Sequence, residues 1–207
     1  MRRLTACVLM MTLLLCGCKA GTAAGETPET AALAIRDAYQ SVARWGADVD
    51  VTAEVGEKVF DFTLRADWRR EGETVLTITA PELLSGITAR IAQGETVLEY
   101  DGAGLSLGLL DGMELTPVSS ITAVMEQVDR GYMARCAWAG ENGEYLQITF
   151  RDPEMAPNTG TEYQLTFDPG SRALLSAEVS VAGETVLTAR FSKFTMELKQ
   201  DDTGDPA

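Results

Sequence analysis

Between Ala47 and Trp68 the chain alternates apolar and polar residues almost without a break. Val49, Val51, Ala53 and Val55 are apolar or small, and Asp48, Asp50, Thr52 and Glu54 between them are polar. After Gly56-Glu57, residues Phe60, Phe62, Leu64, Ala66 and Trp68 alternate with Asp61, Thr63, Arg65 and Asp67. A period of two over this length belongs to strands with one buried face and one wet face. Two such strands joined through a glycine turn predict an antiparallel hairpin, and the rest of the chain must cover its apolar face.

The remaining pattern is strand after strand, interrupted by two helical stretches. Thr27-Pro28 supplies a cap and a first helical residue. Ala31, Ile35, Ala38, Tyr39, Val42 and Trp45 then share one helical face, with Gly46 as the expected stop. Thr116-Pro117 repeats the device. It precedes an apolar face of Val118, Ile121, Val124, Met125 and Val128, and Gly131 suits the position after the helix. Strands are expected near 74–80, 87–93 and 96–101, followed by the glycine-spaced segment 105–110. More are expected near 132–139 and 144–151, joined through Glu141-Asn142-Gly143. Residues 152–160 read as an exposed loop, and strands near 161–167 and 172–181 flank Asp168-Pro169-Gly170-Ser171. In the last strand Leu187, Ala189 and Phe191 are in phase, whereas Phe194, Met196 and Leu198 are out by one. That slip predicts a bulge near Ser192-Lys193. Gly-Glu-Thr-Val-Leu occurs at 72–76, 94–98 and 183–187, each time after a turn and at no fixed period, so it reads as hairpin chemistry. Gln200 to Ala207 is an acidic tail expected to be disordered. The fold class expected is mainly β with two helices.

The N-terminus places the chain. Arg2 and Arg3 precede a run of 12 mostly apolar residues, Leu4 to Leu15. This is the layout of an export signal, too short for a bilayer span of roughly 20 residues. Leu15-Cys16-Gly17-Cys18 resembles the bacterial lipobox. The resemblance implies that residues 1–17 are removed and that Cys18 carries a diacylglyceryl thioether. An ordinary secreted protein or an uncleaved anchor are the alternatives. Residues 18–27 read as a flexible tether, 28–199 as one domain and 200–207 as the tail. Removing 1–17 takes two of the 17 Lys and Arg and none of the 31 Asp and Glu, leaving a net charge of −16. Such a surface repels nucleic acid and anionic head groups, so attachment to the membrane falls to the acyl chains. Cys7 and Cys16 leave with the signal, Cys18 is alkylated, and Cys136 alone remains, without a disulfide partner and expected as a small core residue. There is no histidine, which removes the commonest general base and the usual zinc sites. No cofactor or metal is expected. Glu82, Asp101, Asp111 and Glu114 cluster near turns; a metal or acid/base site of an enzyme is one reading of them, and turn chemistry with solubility is the other. Trp68-Arg69-Arg70 is a local basic patch that reads as a solvated hairpin end, with contact to lipid head groups as the other reading.

Two further stretches carry a family likeness. One is Ala80-Pro81-Glu82-Leu83-Leu84-Ser85-Gly86-Ile87, followed by Gly94 and Leu98-Glu99-Tyr100-Asp101-Gly102. The other is Leu165-Thr166-Phe167-Asp168-Pro169-Gly170-Ser171, then Ala177-Glu178 and Phe191-Ser192-Lys193-Phe194. With the order helix, six strands, helix, five strands, they resemble the LolA/LolB and LppX-type lipoprotein superfamily, including clostridial germination lipoproteins of similar organisation. The family pattern often has a proline after the aspartate turn, where Ala173-Leu174-Leu175 stands here. The resemblance implies a strongly curved antiparallel sheet of about 11 strands, a half-barrel wrapped on helices, attached to the outer face of the cytoplasmic membrane. It implies no enzyme. A lipid or acyl ligand in the concave face is one expectation, with Phe60, Phe62, Leu64, Ile78, Ile91 and Leu98 as lining; packed core is the other reading of the same residues. The alternative function is a protein-interaction module supporting an envelope or spore-related assembly. Cys18→Ser is expected to leave residues 1–17 attached and the lipid mass absent, read by intact-mass spectrometry of the membrane fraction.

Overall fold

The computed structural model describes residues 26–93, 95–109 and 117–199. The expectations for the signal, Cys18, most of the tether, Asp111, Glu114, Thr116 and the tail lie outside these residues. Helix α1 (Pro28–Gln40) is followed by strands β1 (Val42–Val55), β2 (Lys58–Arg69), β3 (Thr74–Ala80), β4 (Thr88–Ala92), β5 (Glu95–Tyr100) and β6 (Ala103–Leu109). Helix α2 (Pro117–Arg130) precedes β7 (Met133–Ala139), β8 (Tyr145–Arg151), β9 (Thr161–Phe167), β10 (Leu174–Val181) and β11 (Glu184–Leu198). The strands form one antiparallel sheet of 11 in the order β6-β5-β4-β3-β2-β1-β11-β10-β9-β8-β7. The sheet does not close, so the architecture is a curved half-barrel carrying two helices on its apolar face.

The first strand and the last are neighbours at the middle of the sheet. β1 pairs with β2 from Arg44↔Arg69 to Val55↔Lys58, and with β11 from Val42↔Leu198 to Ala53↔Leu187. The bulge expected near Ser192-Lys193 is present: the register jumps between Gly46↔Thr195 and Asp48↔Ser192, and Lys193 takes φ 50. A chain of ion pairs spans the bulge on the wet face. Lys193 reaches Asp48 at 2.7 Å, Arg65 reaches Asp48 at 3.2 Å and Asp67 at 3.4 Å, and Arg44 reaches Asp67 at 3.4 Å. Lys193 and Arg65 together hold the Asp48 carboxyl below the usual aspartate range.

The helix at the N-terminus is shorter than the periodicity predicts. Thr27 caps it through Oγ1, which accepts from the Thr30 N–H, and it ends at Ser41, so Val42 and Trp45 belong to β1. Both are nevertheless fully buried, although three apart on a strand, because a register shift between Val42 and Arg44 turns them to one face. Spacing of three satisfied the helical template and the bulged strand alike. Gly46 is a strand residue rather than a helix stop. A Cβ there would lie 2.7 Å from Arg65 Nη2, so the glycine lets the Arg65 side chain cross β1. Gly131 follows α2 without the left-handed φ of a helix-terminating glycine, and its N–H donates to the Gln127 carbonyl at 2.8 Å.

The helices are tied by side chains that satisfy the carbonyls at the C-terminal end of α2. Arg36 donates to the Val128 carbonyl at 3.1 Å and to the Gly131 carbonyl, and Gln40 donates to the Asp129 carbonyl at 2.9 Å. Arg70, expected at a solvated hairpin end, is a clamp instead. It donates to the carbonyls of Val42 and Tyr39, both at 2.8 Å, pairs with Asp129 at 3.6 Å and lies over the Trp68 ring. Asp48→Asn is expected to cost about 0.5–1 kcal/mol near neutral pH, the scale of a partly exposed ion pair. Because the folded-state pKa is depressed, that contribution is complete above the ordinary aspartate pKa of about 3.9. It should fade as pH falls through the lower folded value, so urea midpoints of wild type and variant converge in acid.

Candidate functional site

The concave face is built by cross-strand rows of apolar residues. Phe62, Val51, Ala189, Ala177, Leu165, Ile148 and Cys136 follow one another across seven strands in direct register. The next row runs Phe60, Ala53, Leu187, Val179, Tyr163 and Phe150. Helix α1 packs against β7 and β8, and α2 against α1 and β9. The side chains turned to the sheet, Ile35 and Tyr39 from α1 and Ile121, Val124 and Val128 from α2, are buried. Over this half of the sheet the concave face is filled, and Cys136 is half-buried against the core, its thiol pKa raised by burial.

The other half is graded. All six residues expected to line a ligand site fall on this face. Phe60, Phe62 and Leu64 share one side of β2, Ile78 lies opposite Leu64, Ile91 opposite Thr74, and Leu98 opposite Ala89. Leu64 is fully buried, Phe62, Ile78, Ile91 and Leu98 are half-buried, and Phe60 is 47% exposed. Leu105, the cross-strand partner of Leu98 on β6, is 62% exposed and was not singled out in the sequence because its segment is glycine-spaced. The apolar face therefore continues past what the helices cover and ends open to solvent.

A crevice of ≈200 Å³ lies at the opposite end of the same face, where α2 meets β1 and β2. Tyr39, Trp45, Trp68 and Met125 line its apolar part, with Arg70 and Asp129 among its polar lining. Burial pushes the Tyr39 phenol well above its ordinary pKa. Trp45 stacks on Phe194 at 5.8 Å between centroids, and its Nε1 finds no hydrogen-bond partner among the described residues. These residues escaped sequence reasoning because the crevice forms only where a distant helix meets the first hairpin. Its volume is below the roughly 300–1,000 Å³ of pockets that enclose a drug-sized ligand, so it admits one short group at most. Among the described residues no group of acids and cysteine is arranged to hold a metal ion. Glu82 sits in a single 3-10 turn after β3, and Asp101 sits in the turn after β5.

No family model matches the chain, and no curated protein matches it either. Its fold is similar to that of several solved structures. A LolA superfamily protein from Nitrosomonas europaea is 11% identical over 84% of this chain and 97% of its own, with a TM-score of 0.41. A chain of the CwlD amidase–GerS lipoprotein complex from Clostridioides difficile is 10% identical over 82% of this chain and 96% of its own, with a TM-score of 0.44. The Mycobacterium tuberculosis lipoprotein LppX is 14% identical over 84% of this chain and 100% of its own, with a TM-score of 0.41. The likeness is one of architecture.

The gradient on the concave face has a direct consequence for stability. Leu64→Ala is expected to cost about 2–5 kcal/mol, because it opens a cavity in packed surroundings. Phe60→Ala, half in water already, should cost less than about 1.5 kcal/mol, reflecting only partial loss of burial. Urea unfolding monitored by tryptophan fluorescence checks both.

Proposed function

We propose that residues 18–199 form a lipid-anchored module on the outer face of the cytoplasmic membrane, held there through Cys18. The module is non-catalytic, and its concave face accommodates a lipid or acyl chain along the open half near Phe60, Phe62, Ile78 and Leu98. The observation that carries this reading is the unfinished burial of that face. Phe60, Tyr100 and Leu105 stay 47%, 54% and 62% exposed on a sheet whose other half is packed to completion. An apolar surface continuous with the core and open at one end supports a ligand that extends the core. The signal and the lipobox-like cysteine support the location. Among the described residues no helix is long and apolar enough to cross a membrane. The small crevice by Trp45, at ≈200 Å³, is too small for a whole acyl chain, which supports the open half as the place for the ligand's length.

The test is native mass spectrometry of the full acylated protein extracted from its own membranes in mild detergent. A non-covalent lipid, distinct from the thioether-linked anchor, is expected on the wild-type protein. It should be lost from the Phe60→Asp, Leu105→Asp double variant. A wild-type protein that carries no such lipid removes the ligand reading, and a stoichiometric protein partner in its place supports the interaction module instead.

A further inference from the structure

The wet face of the same strands has an order of its own. Thr63, Asp50, Arg190, Ser176 and Thr166 lie in direct cross-strand register from β2 to β9. Beside them Asp61, Thr52, Thr188, Glu178 and Gln164 form a second row over the same five strands. At a strand spacing of about 4.8 Å each row is ~19 Å long. The face is not flat there. The two rows line a trough of ≈640 Å³, bounded beyond β2 by Ala80 and Pro81.

We propose that this trough is a binding site for a linear, uncharged, hydroxyl-rich polymer: a neutral glycan chain lying across the strands. Charge narrows the choice of occupant. Three carboxylates in the trough, on a chain of formal net charge −14, repel an anionic polymer. A string of lysines or arginines meets Arg190 in the middle of its path. It also meets carboxylates already engaged, since Asp50 accepts from Thr63 at 2.8 Å, Asp61 from Thr52 at 2.6 Å and Glu178 from Thr185 at 2.9 Å. Hydroxyl groups donate and accept, so one ligand chemistry serves the free carboxylate oxygens, the guanidinium, the amide and the hydroxyls together. The groups needed are also available. Among the described residues, Gln164, Thr166, Ser176, Thr188 and Arg190 make no side-chain hydrogen bond or ion pair, although Arg190 stands opposite Asp50. Their backbones are fixed by pairing on both sides, so little ordering is needed when a chain settles on them.

The site is independent of the apolar face and is tested separately. The full-length acylated protein in detergent micelles is titrated calorimetrically with maltohexaose, cellohexaose and chitohexaose, and in parallel with hexalysine. Saturable binding of at least one saccharide is expected, and none of hexalysine. Gln164→Ala and Arg190→Ala should each weaken it roughly tenfold, the loss of one good hydrogen bond to the ligand. Leu33→Ser, on the exposed side of α1, should leave it unchanged. Gln164 is exposed, so its variant keeps the fold, which unfolding midpoints verify. No saturable saccharide binding, binding of hexalysine alone, or affinity indifferent to both trough variants overturns the assignment.

Discussion

The sheet depends on the pairing of β1 with β11. The two longest strands lie side by side at its centre, and every other strand is added outward from them. Their register decides which side chains face inward, since a slip of one residue would exchange the two faces. The bulge at Lys193 is what lets both ends of β11 keep their apolar residues on the inner side. The ion pairs from Lys193 through Asp48 and Arg65 to Asp67 hold the three central strands across that irregularity. Exposed pairs of this kind add little stability singly, but here they sit where the register is set.

Once that register is fixed, both faces follow from the same alternation. Val51 and Phe62 lie on the apolar side, and Thr52, Asp61 and Thr63 beside them lie on the wet side. The concave rows are packed under α1 and α2 and thin out toward Phe60 and Leu105. The wet rows run unbroken over the same strands. A sheet closed into a barrel would bury one face entirely, and a flat sheet would hollow neither. The open, bent sheet leaves a partly covered apolar side and a troughed polar side.

Much of this architecture is legible in the sequence, because period-two alternation is strong and turn residues punctuate it. The hairpin at Gly56, the six-then-five strand count around α2 and the slip at Ser192-Lys193 can all be read there. Val42 and Trp45 mislead because spacing of three suits a helix face as well as a strand with a bulge, and only the pairing with β11 separates the two. Arg70 looks solvated because its acceptors, the Val42 and Tyr39 carbonyls, lie 28 and 31 positions earlier. The six concave residues share a face by parity alone, which a sequence displays. Their differing exposure depends on how far the helices reach, which it does not. The crevice at Trp45 and the two wet rows are equally hidden, since both require knowing that the first strand lies beside the last.

That arrangement bears on how such a chain is made. The strand at the middle of the finished sheet has one neighbour within reach early, β2, but its second is the final strand. Until the last stretch of polypeptide has left the ribosome, no intermediate can complete the spine, and closing it spans nearly the whole length of the chain. A sheet assembled in this order stays open along its middle until β11 is delivered.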